Sequence, residues 1–170
     1  ANPYLTISVG IQNCPTNSVV MVSNGDYSTE SITINKSMDI TCTAEFGVQI
    51  GSITFDGAIS TRVSNIQITG NISNINDSGG WRLYNCRYDG DVSIQGALTN
   101  NIVFESCYGS SNTATFTVNV SNFNPIQITG GNHLSSFIMS GIANNLLVYN
   151  TQSIGGITHE KGLLVLADSG

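Results

Sequence analysis

Asp89, Asp91 and Glu105 are the carboxylates whose surroundings could support chemistry. Glycoside hydrolysis needs two carboxyl groups roughly 5 to 10 Å apart, one to donate a proton and one to attack or to activate water. Asp89-Gly90 marks a turn, and Asp91 opens the strand-like DVSIQG. Glu105 is the fourth residue of IVFES, so alternation points it outward, near Arg82 and Arg87. No catalytic residue is assigned; Asp91 and Glu105 are the candidates only if they face one another across a groove. A solvated turn at Asp91 and a surface ion pair between Glu105 and Arg82 account for the same residues without catalysis. His133 follows the Gly130-Gly131 bend and is expected to top a loop, and His159 continues the inward phase of its strand. Neither has a Ser or Cys partner legible in the sequence.

Binding a sugar without cutting it asks for less. Flat rings cover sugar faces, while amides and hydroxyls meet sugar hydroxyl groups. Tyr84, Tyr88, Tyr108 and Tyr149 fall on outward or loop positions, Arg82 is beside them, and Asn, Ser and Thr abound. These five are the expected carbohydrate contacts, against the plainer reading that the tyrosines cover exposed strand surface. Cys14, Cys42, Cys86 and Cys107 form no C-x-x-C pair and have no nearby His, so no zinc site is expected. Buried free thiols are the favoured reading, with disulfides permitted by the even count. No cofactor is called for.

The elements that must hold these residues are short strands. Of 170 residues only 9% are charged, against roughly 25% in an ordinary soluble domain. β-branched residues alternate with Asn- and Gly-rich breaks, which describes strands joined by tight turns. A net charge of −6 with five Lys and Arg excludes a nucleic-acid partner. No stretch of 18 apolar residues exists, so no membrane insertion is expected. The chain opens on Ala-Asn-Pro with no visible signal peptide, and is expected to be a processed product or a fragment.

The pentapeptide IQITG occurs at 66–70 and again at 126–130. Lines that begin on the same apolar-x-apolar phrase start at residues 48, 66, 81, 102, 126, 146 and 163. The leading pairs are Val48/Ile50, Ile66/Ile68, Trp81/Leu83, Ile102/Phe104, Ile126/Ile128, Leu146/Val148 and Leu163/Val165, and alternation turns each pair to one face. Position five is small or carries an amide, at Ser52, Gly70, Asn85, Ser106, Gly130, Asn150 and Ala167, and suits a bend. Cys86 and Cys107 share a phase. A second strand follows in most lines, with Ile53/Phe55, Val92/Ile94, Phe116/Val118/Val120, Phe137/Met139 and Ile157 inward, closed by Gly57, Gly96 and Gly141. The line at 66–80 lacks a clean second strand, and Ile72 and Ile75 are expected to serve there.

Repeats this short cannot bury their own apolar face and must stack. The expected fold is all-β: a single-stranded parallel β-helix of about seven to eight irregular coils. It is one domain, with residues 1–47 as N-terminal cap and first coils and 48–170 as the remaining coils. A β-sandwich is the competing fold. Leu147, Leu164, Leu166 and Val103 are placed outward, which suggests a face buried by self-association, most simply a homotrimer with parallel axes, or by a loop folded back over it.

Asn24-Gly25-Asp26-Tyr27, a few polar residues, and then Ile32, Ile34 and Lys36 before an apolar strand resemble the opening laps of right-handed parallel β-helix proteins of the pectin-lyase-like superfamily. That resemblance implies the fold and its right hand. It implies no activity, because the superfamily holds lyases, hydrolases, epimerases and inert viral spikes. The Asn-Thr-Asp, Asp-Asp, Gly-His-Gly and Arg-Ile-Lys phrases of polygalacturonase-like members are missing, as are the acidic calcium strands of pectate lyases. The expected function is thus a structural or attachment protein, a viral or phage fibre, spike or tailspike segment at the virion surface or outside the cell, with a host polysaccharide as its ligand. The alternative is a polysaccharide lyase or glycoside hydrolase.

Overall fold

The structure, a computed structural model, describes residues 4–110, 114–121, 124–133, 136–140, 145–151, 153–154, 156–160 and 162–167. The chain winds as an all-β parallel β-solenoid of about six turns. Each full turn contributes a strand to three parallel ladders. The first ladder stacks Ser18–Val22, Met38–Cys42, residues 61–64, residues 81–84, Ile102–Glu105, Ile126–Thr129, Leu146–Tyr149 and Leu164–Ala167. The second stacks Gly25–Tyr27, Val48–Ile50, Ile66–Ile68, Arg87–Tyr88, Tyr108–Gly109, Asn132–His133 and Ser153–Ile154. The third begins at Ile32–Ile34, passes through residues 53–56, 72–75, Val92–Gly96, Thr115–Val120 and Ser136–Met139, and ends at Ile157–His159.

Alternation explains the interior. Every leading pair from Val48/Ile50 to Leu146/Val148 is buried, as are Ile53, Phe55, Val92, Ile94, Phe116, Val118, Val120, Phe137 and Met139. Aromatic side chains on successive turns form a spine. Phe55 stacks on Trp81 at 4.1 Å between centroids, Trp81 meets Phe104 at 5.7 Å, and Phe104, Phe116 and Phe137 continue at 5.0 and 4.6 Å. Such pairs add about 0.5–1.5 kcal/mol each beyond their burial.

The expected phasing slips at two places. Ile66–Ile68 lies in the second ladder and stands over Tyr88, not Leu83, whereas Ile126–Thr129 lies in the first. The two IQITG copies therefore occupy different faces of the coil. The true predecessor of Trp81 and Leu83 is the pair Thr61 and Val63. Thr61 is polar yet 3% exposed, so a search for apolar pairs passes over it. The change of face falls inside Ile53–Ser64 and Ile72–Tyr84, which bend from the third ladder into the first at Gly57 and at Asn76 and Gly80, all at positive φ, where the pairing shifts register. The second slip is at the end. Leu164 and Leu166 continue the inner column of Leu146 and Val148, and Val165, not Leu164 or Leu166, joins Leu147 and Val103 on the outer side.

The 66–80 line also departs from expectation. Ile72 is buried, but Ile75 is 40% exposed and Asn74 takes the inner position. Its amide replaces a missing peptide partner: Asn74 Nδ2 donates to the Gln95 carbonyl at 2.9 Å and Oδ1 accepts from the Gln95 N–H at 2.8 Å. Burying an amide is tolerated when both ends are bonded in this way. Gly57 and Gly96 do adopt positive φ, while Gly141 lies outside the described residues.

The helix Ile7–Asn13 closes the N-terminal end, laying Ile7 and Ile11 on the core. Thr6 caps it, the Glu30 carboxylate accepts from the N–H groups of Ile7 and Ser8 at 3.1 and 3.3 Å, and Lys36 Nζ donates to the carbonyls of Gln12 and Cys14 at 2.9 and 2.6 Å. Anion at the start and cation at the end match the helix dipole. Among the described residues no helix is long and apolar enough to cross a membrane.

Candidate functional site

The corner between the first and second ladders organises the outer surface. Asn65, Asn85, Ser106, Gly130 and Asn150 occupy this corner on five successive turns, all at positive φ between 49° and 67°. Asn and Gly accept the left-handed region with little strain. The main chains are tied turn to turn, with Asn65 N–H donating to the Tyr84 carbonyl and Asn85 N–H to that of Glu105, and Asn85 Nδ2 donates to Asn65 Oδ1 at 3.0 Å. One turn earlier Val48 stands on Ile66, so Gly47 is level with Asn65, and a longer turn replaces the single-residue corner: Gly47 N–H donates to the Ala44 carbonyl, and Phe46, at φ 53°, donates its N–H to the Asn65 carbonyl.

On the first-ladder side of this corner, Tyr84, Glu105, Thr129 and Tyr149 form one outward column. The neighbouring column runs Arg62, Arg82, Val103, Gln127 and Leu147. Arg82 pairs with Glu105 at 3.5 Å, and the Arg62 guanidinium lies 4.8 Å over the Tyr84 ring. That cation occupies one face of the Tyr84 ring.

On the second-ladder side, Gln67, Arg87, Tyr108 and Asn132 form the outward column. Phe46 leans over it. Its ring meets Tyr108 edge-on, with centroids 6.3 Å apart at 86°. Phe46, Tyr108, Arg87, Asn132 and Glu45 line a cleft of about 440 Å³. Arg87 pairs with Asp89 at 3.6 Å, and Asp89 accepts from Gln67 Nε2 at 3.0 Å.

The structure separates several of the expected site residues. Asp91 sits at the corner leading into the third ladder, where its carboxylate accepts from the Thr115 N–H at 2.8 Å and its own N–H donates to Asn71 Oδ1 at 3.1 Å. Glu105 ends a first-ladder strand, so the strands of the second ladder lie between the two carboxylates. They do not flank a common groove. Tyr88, expected outward, is fully buried. So is His133, expected on a loop: the positive φ of Gly130 and Gly131 turns the chain early enough to bring His133 to the inner column. Tyr88 and His133 are two turns apart, yet the Tyr88 hydroxyl bonds His133 Nδ1 at 2.6 Å. Gly109 stands between them, and a Cβ there would come within 2.7 Å of the Tyr88 ring and hydroxyl. Burial pushes the His133 imidazole down to about 4, so it is neutral at pH 7. His159 lies opposite Met139, and its side chain is outside what the structure describes.

All four cysteines are free. Cys86 and Cys107 are buried on successive turns, donating to the carbonyls of Val63 and Leu83. Burial and the adjoining Cys86 hold the Cys107 thiol well above its ordinary range. Among the described residues no three His, Cys, Asp or Glu side chains gather as a metal would require.

Phe46, Glu45, Arg87 and Asn132 are contacts that sequence reasoning missed. Their signal was positional: Phe46 lies in the longer turn that precedes Val48, and its nearness to residues 87, 108 and 132 is visible only once the turns are correctly phased. No protein-family model, curated protein or solved structure matches the chain.

Proposed function

We propose that this chain is a structural attachment module, a segment of a viral or phage fibre or spike of the right-handed pectin-lyase-like type, which presents its polar sides to a host-surface glycan. The observation that carries this reading is the separation of Asp91 and Glu105. Each is engaged by structural bonds at its own corner, while the outward columns between them display rings, amides and hydroxyls on a rigid stack. Low charge and richness in Asn, Ser and Thr suit a surface exposed to solvent and sugar. Half-buried Val103, Leu147 and Val165 on one side support self-association, most simply a threefold bundle.

Incubation with a panel of polysaccharides tests the reading: retention without release of reducing ends or unsaturated products is expected. Sugar release abolished by Glu105→Gln and Asp91→Asn in folded protein would instead establish a lyase or hydrolase. Light scattering in dilute solution should give a particle of three chains, and a monomer would remove the bundle.

A further inference from the structure

The geometry points to a binding site for an uncharged oligosaccharide in the cleft between Phe46 and Tyr108, which rests on the attachment reading above and names its ligand class. The first observation is backbone strain. A bulky aromatic at φ 53° is a genuine outlier; Phe46 holds it in the turn closed by the Gly47 N–H on the Ala44 carbonyl, whereas the left-handed corners of the following turns use Asn65, Asn85, Ser106, Gly130 and Asn150. Strain of this kind persists where the surroundings impose it and clusters at ligand sites. The second observation is that the strained ring contributes nothing to the interior. Phe46 is half-buried, outside the core cluster, and leans over the second ladder toward Tyr108, itself 40% exposed. The two rings meet at 86°, so together they form a bent apolar wall. The C–H face of one pyranose fits against one ring while the next residue of the glycan turns past the other.

The polar groups select the ligand's charge. Glu45 and Arg87 line the cleft with Asn132, and Arg87 is already paired with Asp89. Two carboxylates around one guanidinium leave this surface net negative, on a chain whose overall charge is −6. A uronate or a sialylated glycan would be repelled. Carboxylate, guanidinium and amide side by side suit the donor and acceptor hydroxyls of neutral sugars.

Calorimetry and saturation-transfer NMR with cellohexaose, mannohexaose, maltohexaose and hexagalacturonate test the site on the full chain. At least one neutral hexasaccharide is expected to bind about tenfold or more tighter than hexagalacturonate. Phe46→Asn and Tyr108→Ala should each weaken it by at least about tenfold, while Ser93→Ala, exposed on the third ladder, leaves it unchanged. Phe46→Asn should melt no lower than wild type, because Asn relieves the backbone. A lower melting temperature for Phe46→Asn with binding intact would show a structural residue and overturn the site. Preference for hexagalacturonate, or no binding of any neutral hexasaccharide, would also overturn it. A neutral glycan held equally by wild type and both variants would remove this cleft and leave the attachment reading standing.

Discussion

At the N-terminal end the inner columns run under a helix, with Ile7 4% and Ile11 2% exposed. At the other end the rung Leu164–Ala167 continues the same columns, but Leu166 is 57% exposed and Leu163 53%. The two regions share strand type and residue type; the helix covers the first, and among the described residues none covers the second. A solenoid interior is dry only where another turn or a cap covers it. The helix achieves this with Glu30 on its first N–H groups and Lys36 on the Gln12 and Cys14 carbonyls, so that a charged side chain meets each helix end.

The comparison can be broken most severely at the cap. Ile11→Asp places an unpaired charge beneath the helix and should cost on the order of 4 kcal/mol, measured as a fall in the urea midpoint. A change below about 1 kcal/mol would mean that the helix does not seal the core. Acid should act next, on the turns around His133. His133 has a folded pKa of about 4, below the ordinary 6.5 of the unfolded chain. The unfolded state therefore binds the proton first, and stability present above about pH 6.5 is lost as the pH falls toward 4. The full loss is roughly 3 kcal/mol. Hydrogen exchange at pH 7 and pH 4.5 should show Asn132–His133 and its neighbours loosening before residues 18–42. His133→Gln should flatten that dependence. Smaller still are the helix clamps: Glu30→Ala and Lys36→Ala should each cost about 1 kcal/mol, read from thermal melts. Leu166→Asp should change the stability of a single chain by no more than about 0.5 kcal/mol. A loss as large as that of Ile11→Asp would show that this rung is covered in solution.

Much of the coil was legible because its inner positions alternate so regularly. Phe116, Val118 and Val120, or Ile126 and Ile128, can be assigned to the interior from spacing alone. The errors come where polar residues replace apolar ones inside. Thr61 concealed the rung beneath Trp81, and Asn74 took the place expected of Ile75, because each finds its hydrogen bond within the stack. Leu163 to Leu166 carry no alternation at all, so nothing in that run selects between the two phases. The site was less legible than the fold. Tyr108, Tyr149 and Arg82 were correctly placed outside, but Tyr88 is inside because Gly109 opens room for its ring. The cleft could not be read, since it joins residue 46 to residues 87, 108 and 132, a meeting that depends on which turns lie above which.

Methyl-to-aromatic NOE spectroscopy on Ile68 tests the winding most directly. In the parallel stack Ile68 must give contacts to the Tyr88 ring on one side and to Ile50 on the other. Contacts from Ile68 to residues of an antiparallel partner strand, with none to Tyr88, would contradict the coil and every assignment of columns and corners built on it.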